Sequence, residues 1–206
     1  MQYLITDGEN KTWGNIQWSE NITHEQNNPN YLFSTYTDPI LAHLLNPAYE
    51  GYNNPCIWTA EGEITNNFGL RYECRKITSI EKLDVKAPTN EQRISFAILC
   101  ATHLVNNTAF KMWAKNYLLG NNKTKETADL VRQQLEKIEI VSTKEEDGYV
   151  GPAISCIMAI TVDANMFAAN AAHRTYYDSP ENDRIDLVKI ARIATSLKPE
   201  EIAEVL

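Results

Sequence analysis

Thr89-Asn90-Glu91-Gln92-Arg93-Ile94-Ser95-Phe96-Ala97-Ile98-Leu99-Cys100-Ala101-Thr102-His103-Leu104-Val105 is the stretch whose reading decides the fold. Thr89 and Gln92 have capping-box spacing, in which each side chain accepts from the other's backbone N–H. Ile94, Ala97, Ile98, Ala101, Leu104 and Val105 then recur at helical spacing. Phe96, Leu99 and Cys100 make much of the opposite side apolar as well, so this helix is expected to be buried among others. A second helix follows, with Phe110, Trp113, Ala114, Tyr117 and Leu118 on one face and Gly120 as its stop. The pair is the expected core of a helical half.

Downstream the chain keeps to helical patterns. Residues 124–138 carry Ala128, Val131, Leu135 and Ile138 on one face. A polar loop at 142–151 holds an acidic cluster, Glu145, Glu146 and Asp147. Pro152 opens an alanine-rich segment read as one helix to about Tyr177, broken by Asp178-Ser179-Pro180. Residues 185–194 and 199–206 read as two further amphipathic helices.

Upstream the period changes to two. Residues 3–6 read as a strand, followed by an Asp7-Gly8 turn. Trp13 and Trp18 lie in an Asn-rich stretch, where tryptophans either pin irregular chain onto a sheet or line a groove. Residues 31–36 read as a strand; Asp38-Pro39 then starts a short helix, bounded by Asn46-Pro47. Cys56, Trp58, Ala60, Gly62 and Ile64 alternate with Ile57, Thr59, Glu61 and Glu63, which predicts a half-buried strand. Residues 70–80 return as its partner with Leu70, Tyr72 and Cys74 inward, and a change of phase near Lys76-Ile77 predicts a bulge. Glu61, Glu63, Arg71, Glu73 and Arg75 form the expected solvated face. Strands first and helices after predict an α+β protein: a small N-terminal antiparallel β-sheet with a short helix, packed on a C-terminal α-helical bundle. The expected division is residues 1–88 and 89–206, within one compact unit.

Bulk properties narrow the function. The chain has 206 residues and a formal net charge of −8. That charge argues against nucleic acid as a partner, since the phosphate contribution to binding needs a basic surface. Four cysteines (Cys56, Cys74, Cys100, Cys156) show no CxxC or Cys/His spacing, so neither a metal site nor a disulfide framework is expected. The start of the chain has no signal-peptide pattern. Asp163, Asn165 and Asn170 interrupt the longest apolar run, which argues against a membrane span. The expected location is the cytoplasm.

No phosphate-binding loop, dinucleotide fingerprint, nucleophile elbow or zinc-protease motif occurs. Two sets of residues remain as candidate ligand-binding sites. Asp163, Asn170 and Arg174 are seven and four residues apart and share a helix face, with His173 alongside; a solvated helix face is the plainer explanation. In the N-terminal half, the aromatic set Trp13, Trp18, Tyr31, Tyr36, Tyr49, Tyr52, Trp58 and Tyr72 suits a planar ligand or an ordinary β-core; Trp58 and Tyr36 are put forward from it as ligand contacts, with His43 and Arg71 as polar candidates. No pair of titratable groups is arranged for acid–base work, so no catalytic residue is assigned, and no cofactor is implied.

Several stretches together resemble a family of small uncharacterised proteins of phages, prophages and bacterial accessory genomes. The hairpin Thr59-Ala60-Glu61-Gly62-Glu63 with Arg71-Tyr72-Glu73-Cys74-Arg75-Lys76-Ile77 is similar to that family's AEGE-like strand and its basic return strand. Glu91-Gln92-Arg93-Ile94-Ser95-Phe96-Ala97-Ile98-Leu99-Cys100-Ala101 resembles its EQR-hydrophobic-x-FAILCA helix, and residues 110–120 its F-x-x-WA-x-x-WL-x-G helix. The resemblance spans about residues 55–175. It implies a phage- or mobile-element-encoded protein of the host cytoplasm and brings no catalytic residues with it. The resulting expectation is a soluble, non-catalytic binding protein that neutralises a host factor, by docking on a host protein or by sequestering a small nucleotide-like ligand. An enzyme acting on such a ligand and a structural or assembly protein are the alternatives; the oligomeric state is left open.

Overall fold

The computed structural model describes residues 1–28, 31–141 and 150–206, and the chain divides into two units, Met1–Ala87 and Pro88–Leu206. The expected acidic loop at 142–151 lies largely outside the described residues. The fold is α+β: an antiparallel sheet with one helix in the first unit, and several helices in the second.

The strands of the first unit are β1 (Gln2–Thr6), β2 (Lys11–Thr12), β3 (Ile16–Gln17), β4 (Thr23–Glu25), β5 (Phe33–Tyr36), β6 (Cys56–Asn67) and β7 (Tyr72–Leu83), and all but β2 and β3 belong to one sheet. β1 pairs with β5 and with β6, β5 pairs with β7, and β7 pairs with β6 along its length, all antiparallel. Four strands thus close a circuit, which leaves fewer open edges than a flat sheet. β4 adds to β7 beyond the end of β5. β2 and β3 form a separate small hairpin.

Closure depends on the long β6–β7 ladder. Its register slips three times, between Thr59 and Ala60, Gly62 and Ile64, and Ile64 and Asn66. Each slip bends and twists the pair. One falls opposite Arg75-Lys76, where the alternation changes phase. At that point Gly62 sits so close to β7 that a Cβ would stand 2.8 Å from the Lys76 carbonyl oxygen.

Both faces of the strands are covered at the start of β6. Trp58 and Ala60 join Leu4, Trp18, Phe33, Cys74 and Ile77 in one apolar cluster. Ile57 and Thr59, expected on a solvated face, are buried as well. The alternation places them on the side where α1 (Pro39–Tyr49) packs against β1 and β5. Only Glu61 and the residues beyond it emerge into solvent. α1 begins where expected, with Asp38 Oδ1 accepting from the Ile40 and Leu41 amides at 2.9 and 3.1 Å. It does not stop at Asn46-Pro47. Pro47 lies inside the helix and the turn runs to Tyr49. The Asn-rich stretch also holds more structure than its composition predicted. Asn10, Asn15 and Asn21 adopt positive φ, a region that asparagine enters more readily than most residues, and these turns link β2, β3 and β4.

The second unit is organised around α2 (Asn90–Leu104), whose Thr89/Gln92 capping box is formed. Gln92 does two jobs: Oε1 accepts from the Thr89 amide, and Nε2 donates to the Thr195 carbonyl. Ala97, Ile98 and Ala101 enter a core with Phe110, Trp113, Ala114 and Leu118 of α3 (Thr108–Leu118) and Ala128 and Leu135 of α4 (Lys125–Val141). The alanine-rich segment is two helices, α5 (Gly151–Thr161) and α6 (Ala164–Asp178), which pack closely on each other and on α2. The expected single helix breaks because Asp163 Oδ1 caps a new one, accepting from the Asn165 and Met166 amides at 2.7 and 3.2 Å. α7 (Leu187–Ser196) and α8 (Pro199–Val205) complete the unit. Cys74, Cys100 and Cys156 are buried and Cys56 is half-buried; none forms a disulfide.

Two substitutions test these assignments. Gly62→Ala is expected to destabilise by about 1–3 kcal/mol in urea unfolding, because backbone must move to admit the methyl group. Trp113→Ala is expected to cost roughly 3–5 kcal/mol, as truncation of a buried aromatic does, and a near-neutral result would show that α3 is not a core helix.

Candidate functional site

In the first unit, three short segments converge near the start of β5. The β2–β3 hairpin turns through Gly14 and Asn15, both at positive φ, and this puts Trp13 at its tip. Tyr31, Leu32, Phe33 and Ser34 lead into and form β5. The chain leaving α1 supplies Glu50 and Tyr52. Together with Leu4 and Ile5 of β1 they enclose a cavity of about 340 Å³. This is near the lower end of the usual range for small-molecule sites, roughly 300–1,000 Å³.

The two tryptophans of the Asn-rich stretch divide the two roles expected of them. Trp18 is 1% exposed and pins the strands, edge-on to Phe33 and His24. Trp13 is 63% exposed and lines the pocket, its ring 5.6 Å from that of Tyr52. The Trp13 amide donates to the Tyr52 hydroxyl at 3.0 Å, which ties the hairpin tip to the α1 exit. Burial raises the Tyr52 phenol well above its ordinary pKa and nearby Glu50 adds to the rise, while the Trp13 amide opposes it. Tyr52 is therefore a neutral hydroxyl at physiological pH.

Asn46 positions the α1 exit. Its Nδ2 donates to the Tyr52 carbonyl at 2.9 Å, and its Oδ1 accepts the Tyr52 amide at 3.1 Å. Its own carbonyl receives the Glu50 and Gly51 amides, and Gly51 turns the chain at φ 65°. Asn46 is buried, and sequence reasoning passed over it as a loop boundary. The usable signal was an Asn one turn before a Gly, the combination that closes a helix end.

Glu50 is the one carboxylate on the described lining, and no Lys, Arg or His lies beside it there. It is 9% exposed, and its carboxylate makes no hydrogen bond or ion pair with a described residue. A carboxylate with no partner among the described residues can accept from a positive or N–H-donating group that enters the cavity.

The residues proposed from sequence fall in different places. Tyr36 and Arg71 lie behind the pocket rather than on its wall. Tyr36 is fully buried, and its hydroxyl has no hydrogen-bond partner among the described residues. Burial pushes its pKa well up; Glu50 adds to this and Arg71 opposes it. Arg71 donates to Ser34 Oγ at 2.8 Å, pairs with Glu73 at 2.9 Å, and stacks over the Tyr49 and Phe68 rings. It braces Ser34, which does line the pocket. Trp58 is elsewhere, buried in the strand cluster with Lys82 over its ring, and His43 is buried within α1. Of the candidate aromatic set, Trp13, Tyr31 and Tyr52 line the pocket, together with Phe33. Strand alternation alone could not say which aromatics the chain's closure would leave facing a cavity.

The α6 stripe lines none of the cavities found among the described residues. Asp163 is committed to its N-cap bonds. Asn170 is half-buried. The His173 ring stands 4.7 Å from Tyr177, and burial lowers its pKa, with Asp178 opposing and Arg174 assisting. The Arg174 guanidinium lies directly over Gly151, where a Cβ would collide with it. These are the packing contacts of a bundle helix. The second unit does carry an open groove of about 410 Å³, with Lys111, Lys115 and His103 beside Leu99, Met112 and Ile190.

Among the described residues no group of three or more His, Cys, Asp or Glu side chains is placed to hold a metal ion, and no helix is long and apolar enough to cross a membrane. Compared with known protein families, curated proteins and solved structures, the chain matches none.

Asn46→Ala removes both side-chain bonds to Tyr52 and leaves the Tyr52 amide without its acceptor. It is expected to cost about 1–3 kcal/mol in urea unfolding and to release Tyr52 from its contact with Trp13, read as a change in tryptophan fluorescence.

Proposed function

We propose that this chain is a non-catalytic binding protein whose N-terminal unit takes up a small planar, nucleotide-like ligand. The observation that carries the reading is the pocket itself. Trp13, Tyr31, Phe33 and Tyr52 line a cavity of about 340 Å³, with a few polar groups to orient what enters. Its described lining holds a single carboxylate and no His, Lys, Cys or second carboxylate to work with it, which favours holding a ligand over transforming it. On the resemblance to proteins of phages and accessory genomes, we place the chain in the host cytoplasm, where it withholds the ligand from a host process. Docking on a host protein is the second reading. It draws on the groove of the helical unit, where two lysines and exposed Met112 interrupt an otherwise acidic chain.

Titration of the intact chain with nucleosides, followed by tryptophan fluorescence, tests the first reading. Micromolar binding is expected, with quenching that depends on Trp13. Trp13→Ala should weaken binding by about 1–3 kcal/mol, the worth of one base stacked on an aromatic ring, at an unchanged melting temperature. Absence of saturable binding to the folded chain would reject it.

A further inference from the structure

We infer that the pocket selects a planar group bearing two adjacent N–H donors, the edge shown by a guanine-type base or a guanidinium, and that Glu50 is the residue that reads it. The inference rests on the planar-ligand reading above and narrows it to one chemistry.

Three observations converge. Glu50 is nine-tenths buried, lines the cavity and makes no hydrogen bond or ion pair with a described residue. Its backbone amide donates to the Asn46 carbonyl at 2.9 Å, at the exit of a helix packed on the sheet, so the main chain that carries the side chain is fixed. No described lining residue is basic, so among the described residues no cation of the lining competes for that carboxylate or offers a phosphate a counter-charge.

A carboxylate presents two oxygens side by side. Two parallel N–H donors match them in the bidentate geometry that makes Arg–carboxylate pairs strong. Guanine offers such an edge through N1–H and the N2 amino group. Adenine offers one donor beside the N1 lone pair, which faces a carboxylate oxygen with repulsion. Inosine retains one donor only. The aromatic walls stack any of these rings alike, so discrimination falls to Glu50. A neutral Tyr52 hydroxyl beside it adds no charge that would change the preference. Phosphates on a nucleotide would have to project out of the cavity, so a nucleoside should bind at least as well as its monophosphate.

The test is calorimetric titration of the intact chain with guanosine, inosine, adenosine, guanosine monophosphate and methylguanidinium, repeated on Glu50→Gln and Trp13→Ala. The expected order is guanosine over inosine over adenosine, at least tenfold from first to last, with the monophosphate no tighter than guanosine. Glu50→Gln should weaken guanosine at least tenfold and adenosine less than threefold. Methylguanidinium binding as tight as guanosine, and lost in Glu50→Gln, would support the donor edge and assign it to a guanidinium. Equal affinity for guanosine and adenosine, lost in Trp13→Ala, would overturn this inference and leave the planar-ligand reading standing. No binding of any of the five probes to the folded chain would overturn both. The nucleoside ranking on the unsubstituted chain decides the matter even if Glu50→Gln does not fold.

Discussion

The N-terminal unit depends on the β6–β7 ladder and the close approach at its middle. Two twelve-residue strands would form a long twisted ribbon with two open edges. Three register slips bend this one instead, and Gly62 lets the β7 backbone come in where any side chain would hold it off. The far ends of the ribbon then reach β1 and β5, and the circuit closes. Closure gives the strands two buried sides. One is filled by the cluster around Trp18, the other by α1. Every later feature of the unit inherits its position from that choice.

The pocket is one such feature. It lies where β5 begins, with loop on either side, so its walls come from segments that touch only because the circuit has closed. The hairpin tip brings Trp13, and the exit of α1 brings Glu50 and Tyr52. Both are held by polar contacts that pack little: Asn46 to the Tyr52 backbone, and the Trp13 amide to the Tyr52 hydroxyl. Among the described lining residues Glu50 brings the single carboxylate, and no Lys, Arg or His stands beside it there.

The helical unit follows a more local logic. Asn107, Asp163 and Asp186 each cap the helix that starts beside them, and the Thr89/Gln92 box does the same for α2. This explains why Asp163, which looked like one end of a polar stripe with Asn170 and Arg174, has its oxygen turned to backbone. The same local economy splits the alanine-rich segment in two. Small side chains then allow α5, α6 and α2 to lie close together.

How much could be read in advance follows from this difference. The capping box, the α2 stripe, the α3 face and the stop at Gly120 involve residues a few positions apart, and a helix repeats its contacts every three or four residues. The sequence alone therefore determined the succession of strands and then helices, the α+β class and the central helices, together with the β6–β7 pairing and the bulge near Lys76. It did not determine which aromatics face a cavity. Trp13, Tyr31 and Tyr52 belong to the candidate aromatic set, but Trp58 and Tyr36 are put forward from it, because alternation marks a face without saying what covers it. Burial of Ile57 and Thr59, the role of Asn46 and the isolation of Glu50 were settled by tertiary structure alone. Each depends on segments brought together across dozens of residues by strand pairing and by left-handed turns at Gly14, Asn15 and Gly51, and contacts of that range leave no periodic trace in the chain.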